Sequence, residues 1–248
     1  MRFWWQFTWI FFLVWSAVGL FVLPLGLGES WVRTLVDDPQ AQKGMTEFLK
    51  LSDAIWLVAA AIVVIWSQFH LEGWKKTVRA SLLIGIGSAV IEWIGAKTGV
   101  PFGPYIYTDN MGWQIGGVLP FTIPLAWIII ITGGRYLVEA IRPGLSPRMF
   151  ALAVGAVALL TDLNLEIVAW KIRAYWIWYP FEQGPVPAMP PWQNYAAWFV
   201  LGICFTRLQP MVPSLPRSAA FWRPIVVLGV INLLFIAANI VRWIRLAG

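Results

Sequence analysis

The chain has 248 residues, of which 59% are hydrophobic and only 12% are charged, and its formal net charge is +6. A soluble protein of this length needs a polar exterior that this composition does not supply, so we expect one membrane domain over residues 1–248. The basic residues lie mainly between long apolar runs, where they would meet phospholipid headgroups. The positive charge therefore does not indicate a nucleic-acid partner.

Seven apolar runs predict an all-α, polytopic helical bundle with about seven transmembrane helices. About 20 apolar residues cross a hydrocarbon core as a helix, and a helix is required because lipid cannot satisfy backbone polar groups. The first run is longer than the apolar core of a signal peptide and lacks a clear cleavage pattern, so we interpret it as a span. The runs cover residues 3–25, 54–69, 78–95, 118–131, 150–170, 195–205 and 224–244.

The distribution of basic residues gives a weak topological signal. Assigning the connecting segments alternately to the two membrane surfaces places ten basic residues on the N-terminal side and eight on the other. Arg135 and Arg223 are counted among the ten, and Arg33 among the eight, all three in connecting segments. The excess favours a cytoplasmic N-terminus, and an odd number of spans then places the C-terminus outside.

Three acidic residues, Glu92, Asp162 and Glu166, lie inside the predicted spans. An ionisable group at membrane depth costs roughly 2.5–3.5 kcal/mol on insertion scales, so each one needs a partner or a function. Asp162 and Glu166 are four residues apart and share a helix face, which Trp170 and Arg173 continue toward the membrane surface nearest to Glu92. The three acids are therefore expected at one end of the bundle.

Two loops rich in aromatic residues open on that same surface. An interfacial belt is the ordinary explanation for Trp and Tyr at headgroup level. Their concentration on one side, next to Pro and Gly, instead favours the shaped wall of a site. The loops cover residues 97–117 and 171–191, and their aromatic residues include Tyr105, Tyr107, Trp113, Tyr175, Trp176, Trp178 and Tyr179.

The acids have a structural and a chemical interpretation. In the structural one they form buried ion pairs or braces with Arg173, Lys171 or Lys97. In the chemical one, a desolvated carboxyl such as Glu92, between Ile91 and Trp93, keeps its proton at neutral pH, which is the state that a general acid needs.

Metal and cofactor chemistry has little support in the sequence. His70 is the single histidine and Cys204 the single cysteine, so histidine or cysteine clusters cannot form within one chain. A carboxylate-only Mg²⁺ site at Asp162 and Glu166 would lack the phosphate-binding loop or acid-rich repeat that normally accompanies one. We therefore expect no metal and no cofactor.

Two blocks, which cover roughly the middle half of the chain, each place an acid-bearing helix before an aromatic loop. The first block comprises EWIG at 92–95, TGVPFGPYIY at 98–107, GVLP at 117–120 and PLAW at 124–127. The second comprises Asp162, Trp176, Trp178, VP at 186–187, WQNY at 192–195 and Trp198. Together they resemble the membrane carotenoid biosynthesis family that includes the CruF-type carotenoid hydratases. The first and last spans resemble that family only in hydrophobicity.

The resemblance implies a cofactor-independent hydratase that adds water to the terminal carbon–carbon double bond of an acyclic carotenoid end, giving a tertiary alcohol. Substrates of such families include monocyclic C40 carotenoids and C50 bacterioruberin precursors. The implied partners are a hydrophobic carotenoid, water, membrane lipid and other enzymes of the carotenoid pathway. The implied location is the cell membrane of a prokaryote.

The residues themselves fit that chemistry. Hydration needs a proton for the less substituted carbon, shielding for the resulting cation, and a water molecule presented to one face. A neutral carboxylic acid can supply the proton, and aromatic faces attract a cation by roughly 0.5–2 kcal/mol. A second carboxylate can orient the water.

We assign roles to the acids on this basis. Either Glu92 or Asp162 donates the proton, the other orients the water as a base, and Glu166 supplies a charge that tunes both. The residues expected to line the end-group pocket are Trp93, Tyr105, Tyr107, Trp176 and Trp178. The expected hydrogen-bond partners are Thr98 and Asn194.

Two other classes of function remain open at this stage. In a proton-coupled transporter or lipid-handling protein, the acids would relay protons and the loops would form a gate. The sequence shows no repeat between its halves and places its site at one end rather than at the midplane, which speaks against a transporter. In a non-catalytic scaffold of a pigment-synthesis complex, the acids would be braces.

Overall fold

The protein is an all-α helical bundle in a computed structural model that describes residues 2–25, 37–180, 187–210 and 216–247. Every predicted apolar run overlaps one of seven helices in this part of the chain. Two residues named in the sequence analysis, Arg33 and Val186, lie outside the described residues. The helices are α1 Arg2–Leu25, α2 Pro39–Glu72, α3 Trp74–Thr98, α4 Ile123–Ile141, α5 Pro147–Ile167, α6 Trp192–Arg207 and α7 Ala219–Ala247.

Six of these helices are long and apolar enough to cross a membrane. The helix that covers the sixth run, α6, has 16 residues and is too short to be counted with these six. Even so, α6 lies along α5 and reaches both ends of the bundle, because Asn194 contacts Glu166 near one end and Gln209, just beyond α6, contacts Arg135 near the other. The predicted polytopic membrane bundle is confirmed.

The fourth run was predicted to begin a span at residue 118, and this boundary is wrong. Residues 114–115 and 119–120 instead form the short strands β2 (Gln114–Ile115) and β3 (Leu119–Pro120), which pair with each other. Helix α4 begins at Ile123 with Pro124 in its first turn. Proline lacks a backbone N–H, but an N–H in the first turn has no partner within the helix, so no hydrogen bond is lost. It then continues to Ile141, ten residues beyond the predicted end of the run.

Two arginines that were predicted in connecting segments lie inside helices. Arg135 is 3% exposed within α4, and its guanidinium faces Glu72 at 3.9 Å and donates to Gln209 and to the Pro210 carbonyl. Arg223, in α7, places its guanidinium over the Trp5 ring, 3.8 Å from the centroid. Periodicity alone did not show these partners, because they come from distant parts of the chain.

The two aromatic loops are joined by backbone pairing. Strand β1 (Tyr105–Tyr107) and strand β4 (Trp176–Trp178) run antiparallel, and we call this pair the aromatic ribbon. Thr108 strengthens the connection by donating to the Ala174 carbonyl at 2.5 Å. The ribbon covers the end of the bundle at which α3 ends and α4 begins.

Helix α5 closes with one turn of π-helix, Val168–Ile172. The wider turn inserts an extra residue and changes the direction of the side chains that follow. Arg173 therefore does not continue the face of Asp162 and Glu166, as its spacing predicted, but reaches Asp53 on α2.

Candidate active site

The aromatic ribbon presents its large rings to the bundle interior. Successive residues of a strand point to opposite faces, so Tyr105 and Tyr107 share a face, and Trp178 and Trp176 oppose them across the pair. Tyr105 and Trp178 have ring centroids 5.2 Å apart, and Tyr107 and Trp176 have centroids 6.1 Å apart. The isoleucines between them face outward. The four aromatic residues predicted in the site are therefore brought together.

Glu92 lies on α3 directly beneath this ribbon and is 4% exposed. Its Oε2 accepts hydrogen bonds from Tyr107 at 2.7 Å and from Tyr105 at 2.8 Å. Its Oε1 accepts one from Trp127 Nε1, on α4, at 2.8 Å. Gly95 permits this approach, because a Cβ there would lie 2.6 Å from Phe102 and 3.0 Å from the Tyr105 hydroxyl oxygen. Three donors thus converge on one buried carboxyl.

The two tyrosines remain donors over the physiological pH range. Burial raises the pKa of the Tyr105 phenol, and the adjacent Glu92 charge raises it further. Burial likewise raises the pKa of Tyr107, with further increases from Glu92 and Tyr105. Both hydroxyls therefore keep their protons and direct them at the Glu92 carboxyl.

Asp162 and Glu166 form a second acidic group, on α5. They are 0% and 1% exposed, and Asn194 from the start of α6 donates through its Nδ2 to Asp162 Oδ2 and to Glu166 Oε1, each at 2.8 Å. Trp178 and Trp176 donate to Glu166 Oε2 at 2.9 and 3.4 Å. Asp162 Oδ1 is buried without a hydrogen-bond partner among the described residues. The aromatic ribbon therefore bonds to both acidic groups, to Glu92 through β1 and to Glu166 through β4.

A mostly apolar cavity of about 80 Å³ lies between the two acidic groups. Glu92, Glu166 and Asn194 all line it, whereas Asp162 lies behind them and does not. The cavity extends from Asp53 on α2, beside the ribbon, to Ile231 and other apolar side chains of α7. An apolar end group could therefore meet two carboxyls at once.

Besides Asp162, two other predicted site residues do not line the cavity. Trp93 packs against Gly116, where a Cβ would lie 2.2 Å from its ring. Thr98 is exposed, and its hydroxyl donates to the Ile94 carbonyl of its own helix at 2.7 Å. Neither side chain lines the cavity.

The basic residues considered as partners for the three acids are used elsewhere. Arg173 pairs with Asp53, and the Lys171 ammonium lies over the Trp170 ring at 3.0 Å from its centroid. Lys97 is exposed at the end of α3. Among the described residues, tyrosine, tryptophan and asparagine donors surround the acids in place of cations.

The residues that line the cavity without a role assigned from the sequence include Trp127, Trp198 and Asp53. Trp127 donates to Glu92 and stacks on Trp198 with ring centroids 4.4 Å apart. Both tryptophans belong to the blocks that carried the family resemblance, which was the available signal. Asp53 directly precedes an apolar run, and its sequence position gave no reason to assign it a role.

These features together define a polytopic membrane protein with an internal, mostly apolar cavity that buried carboxyl groups and aromatic rings surround. The family described as "Carotenoid biosynthesis protein" matches residues 52–246 of the chain. The chain belongs to this family, which supports a role in carotenoid modification.

One curated relative is a bisanhydrobacterioruberin hydratase from Haloarcula japonica, which is 31% identical over 114 residues. This stretch makes up 45% of the present chain and 37% of that protein, so the match spans little more than a third of the relative. No solved structure matches the chain.

Proposed function

We propose that the protein is a carotenoid hydratase, which adds water to the terminal double bond of an acyclic end group and forms a tertiary alcohol. The observation that carries the proposal is the placement of Glu92 and Glu166 around one apolar cavity under the aromatic ribbon. The name of the Haloarcula japonica relative points to the same reaction class. A cavity of about 80 Å³ suits an end group, while the polyene would lie between helices.

The proton would come from the Asp162–Glu166 pair. Two buried carboxyls that share one amide cannot both be ionised at low cost, so the pair holds one proton. Glu166 lines the cavity and Asp162 does not, so the proton would leave through Glu166. Asp162 would then act as a positioning residue, with Asn194 holding both carboxyls in place.

Glu92 would stabilise the carbocation. An ionised carboxylate only accepts hydrogen bonds, and three donors from Tyr105, Tyr107 and Trp127 suit that state. A negative charge next to aromatic faces favours a cation inside a mostly apolar cavity.

The proposed steps balance in atoms and charge without a cofactor. The π electrons of the double bond take the proton from Glu166 and form a C–H bond at the less substituted carbon. The tertiary carbon is left as a cation. A water oxygen then forms the C–O bond, and its surplus proton passes to Glu92. Proton transfer from Glu92 to the Asp162–Glu166 pair through water restores the starting state.

The test is pigment analysis of a host that makes acyclic-ended carotenoids, with and without this chain. We expect a new species heavier by one water from the wild-type protein, and no such species from Glu92→Gln or Glu166→Gln. Glu47→Gln is the matched control, because Glu47 is an exposed acid on α2 that does not line the cavity.

Membrane abundance of each variant is measured alongside the pigments. Full abundance of the wild-type protein with no hydrated product from either C40 or C50 substrates would overturn the hydratase proposal in favour of a transporter or scaffold. Wild-type rates in both glutamine variants would overturn the acid assignments alone.

A further inference from the structure

Asp53 is a cavity-lining carboxylate for which neither the proposed chemistry nor the family comparison supplies a role. It directly precedes the apolar run of α2, which places it at the level where this helix leaves the hydrocarbon. Its side chain is 23% exposed, whereas Glu92 and Glu166 are 4% and 1% exposed. Asp53 is therefore the cavity carboxylate nearest to bulk water.

The hydrogen bonds of Asp53 are concentrated on one of its two oxygens. Arg173 donates to Oδ2 through Nε at 2.8 Å and also through Nη2, and the Tyr175 hydroxyl donates to Oδ2 at 2.8 Å. None of the residues that the structure describes donates to Oδ1. A fixed carboxylate with one unused oxygen can accept a hydrogen bond from a water molecule.

A row of aromatic rings connects Asp53 with Glu92 along the wall of the cavity. The rings of Tyr175 and Trp176 have centroids 6.4 Å apart, and those of Trp176 and Tyr107 have centroids 6.1 Å apart. Tyr107 in turn donates to Glu92 at 2.7 Å. Asp53 and Glu92 thus mark the water side and the interior of the same cavity.

We propose that Asp53 is the water-positioning residue of the site, whose carboxylate, held by Arg173 and Tyr175, admits and orients the water that captures the carbocation. This inference rests on the proposed hydratase function. A fixed acceptor at the water side would supply one oriented water molecule while the rest of the cavity stays apolar, which protects the cation from uncontrolled capture.

A purely structural Asp53–Arg173 brace makes a different prediction, because the carbocation has two fates. It can take up water and lose a proton to give the alcohol, or it can lose a proton from carbon and return to alkene. In D₂O the returning alkene carries deuterium at the carbon that was protonated. The ratio of deuterium exchange to hydration therefore reports water delivery separately from protonation.

We expect Asp53→Asn to raise the exchange-to-hydration ratio about tenfold, the effect of weakening one hydrogen bond to a charged group. Asp53→Glu keeps the charge but moves the oxygens by one methylene, and it should raise the ratio by a smaller factor. Asp109→Asn is the matched control, because Asp109 forms a separate ion pair with Lys50 at 3.0 Å, outside the cavity. It should leave the ratio unchanged.

The outcomes separate this inference from the function on which it rests. A wild-type protein that hydrates, with Asp53 variants that lose exchange and hydration in the same proportion, would overturn water positioning and leave Asp53 as a brace. A wild-type protein that neither hydrates nor exchanges would overturn the hydratase proposal itself. If Asp53→Asn does not accumulate in the membrane, the ratio measured with Asp53→Glu decides.

Discussion

At the scale of single residues, the charge state of Glu92 depends on its donors. Tyr105 and Tyr107 bond to the same oxygen, Oε2, and Trp127 bonds to the other. Each hydrogen bond to a charged group contributes about 1.5–3 kcal/mol. The donors would therefore offset part of the cost of burying an ionised Glu92, which is the charge state that its proposed role requires.

Tyr107→Phe removes one of these donors without removing the ring. We expect the hydration rate to fall by about 10-fold or more, because an ionised Glu92 loses a hydrogen bond of about 1.5–3 kcal/mol. Product formation per membrane-inserted protein measures the effect. The control is Tyr179→Phe, since the Tyr179 hydroxyl donates to the Met189 carbonyl and Tyr179 does not line the cavity. Equal rates for Tyr107→Phe and wild type would contradict the role of this bond.

Asn194 offers a test of the Asp162–Glu166 pair. Asn194→Leu keeps a similar volume but removes the donors to both carboxyls, and an unsatisfied buried polar group costs about 1–3 kcal/mol. We expect a clearly lower thermal unfolding temperature in detergent.

Adding Asp162→Leu to Asn194→Leu should restore part of that stability, because the double variant no longer contains the unsatisfied Asp162 carboxyl. If the double variant loses as much stability as the two single variants lose together, the two side chains act independently.

The sequence predicted the acids of the site and named Asn194 as a hydrogen-bond partner, but it did not assign donors to each acid. Glu92, Asp162 and Glu166 were identified because acids are rare within apolar runs. Trp127 lies 35 residues from Glu92, and Asn194 lies 28 residues from Glu166. Such contacts depend on how helices pack, which hydrophobic periodicity does not specify. Thr98 shows the same limit, because its sequence position near Glu92 did not place it in the cavity.

At the scale of secondary-structure elements, the close contact of α5 with α6 positions the acidic pair. A Cβ on Gly202 would lie 2.8 Å from the Gly155 Cα, and a Cβ on Gly155 would lie 2.8 Å from the Phe199 carbonyl oxygen. Small residues let membrane helices approach closely. This approach allows Asn194, at the start of α6, to reach both carboxyls of α5.

Gly202→Val should push α5 and α6 apart. We expect a destabilisation of about 1–3 kcal/mol from overpacking, together with a loss of hydration as Asn194 withdraws from the acids. Gly229→Ala in α7 is the matched control, because a Cβ there meets nothing within 4 Å, and it should leave both properties unchanged. Thermal unfolding and pigment analysis measure the two effects. Wild-type stability of Gly202→Val would contradict the tight contact.

The helices were predictable and the aromatic ribbon was not. Six spans follow from long apolar runs, because lipid leaves few alternatives to a helix. Strands β1 and β4 contain three residues each and come from loops that are about 70 positions apart. Three residues are too few for an alternating pattern to be recognised. The concentration of aromatic residues on one side nevertheless predicted that the two loops meet.

At the scale of the whole molecule, the distribution of charge does not orient the bundle. Arg135 and Arg223, counted on the N-terminal side, are 3% and 8% exposed within helices. Without them, the two sides carry equal numbers of basic residues. The geometry still makes a prediction that does not depend on orientation, since it places the aromatic ribbon and the α2–α3 connection at opposite ends.

Whether α6 crosses the membrane decides between six and seven spans. In a Cys204→Ala background, we expect cysteines at Asp109 and Met189 to react with a membrane-impermeant maleimide from one side, and cysteines at Lys76 and Ser218 only from the other. Met189 precedes α6 and Ser218 follows it, so their opposite accessibility requires a crossing. At about 1.5 Å per residue, the 16 residues of α6 fall short of a typical 30 Å core, so its crossing depends on burial against α5. Labelling of Met189 and Ser218 from the same side would leave six spans and would place the start of α6, with Asn194, in a re-entrant segment.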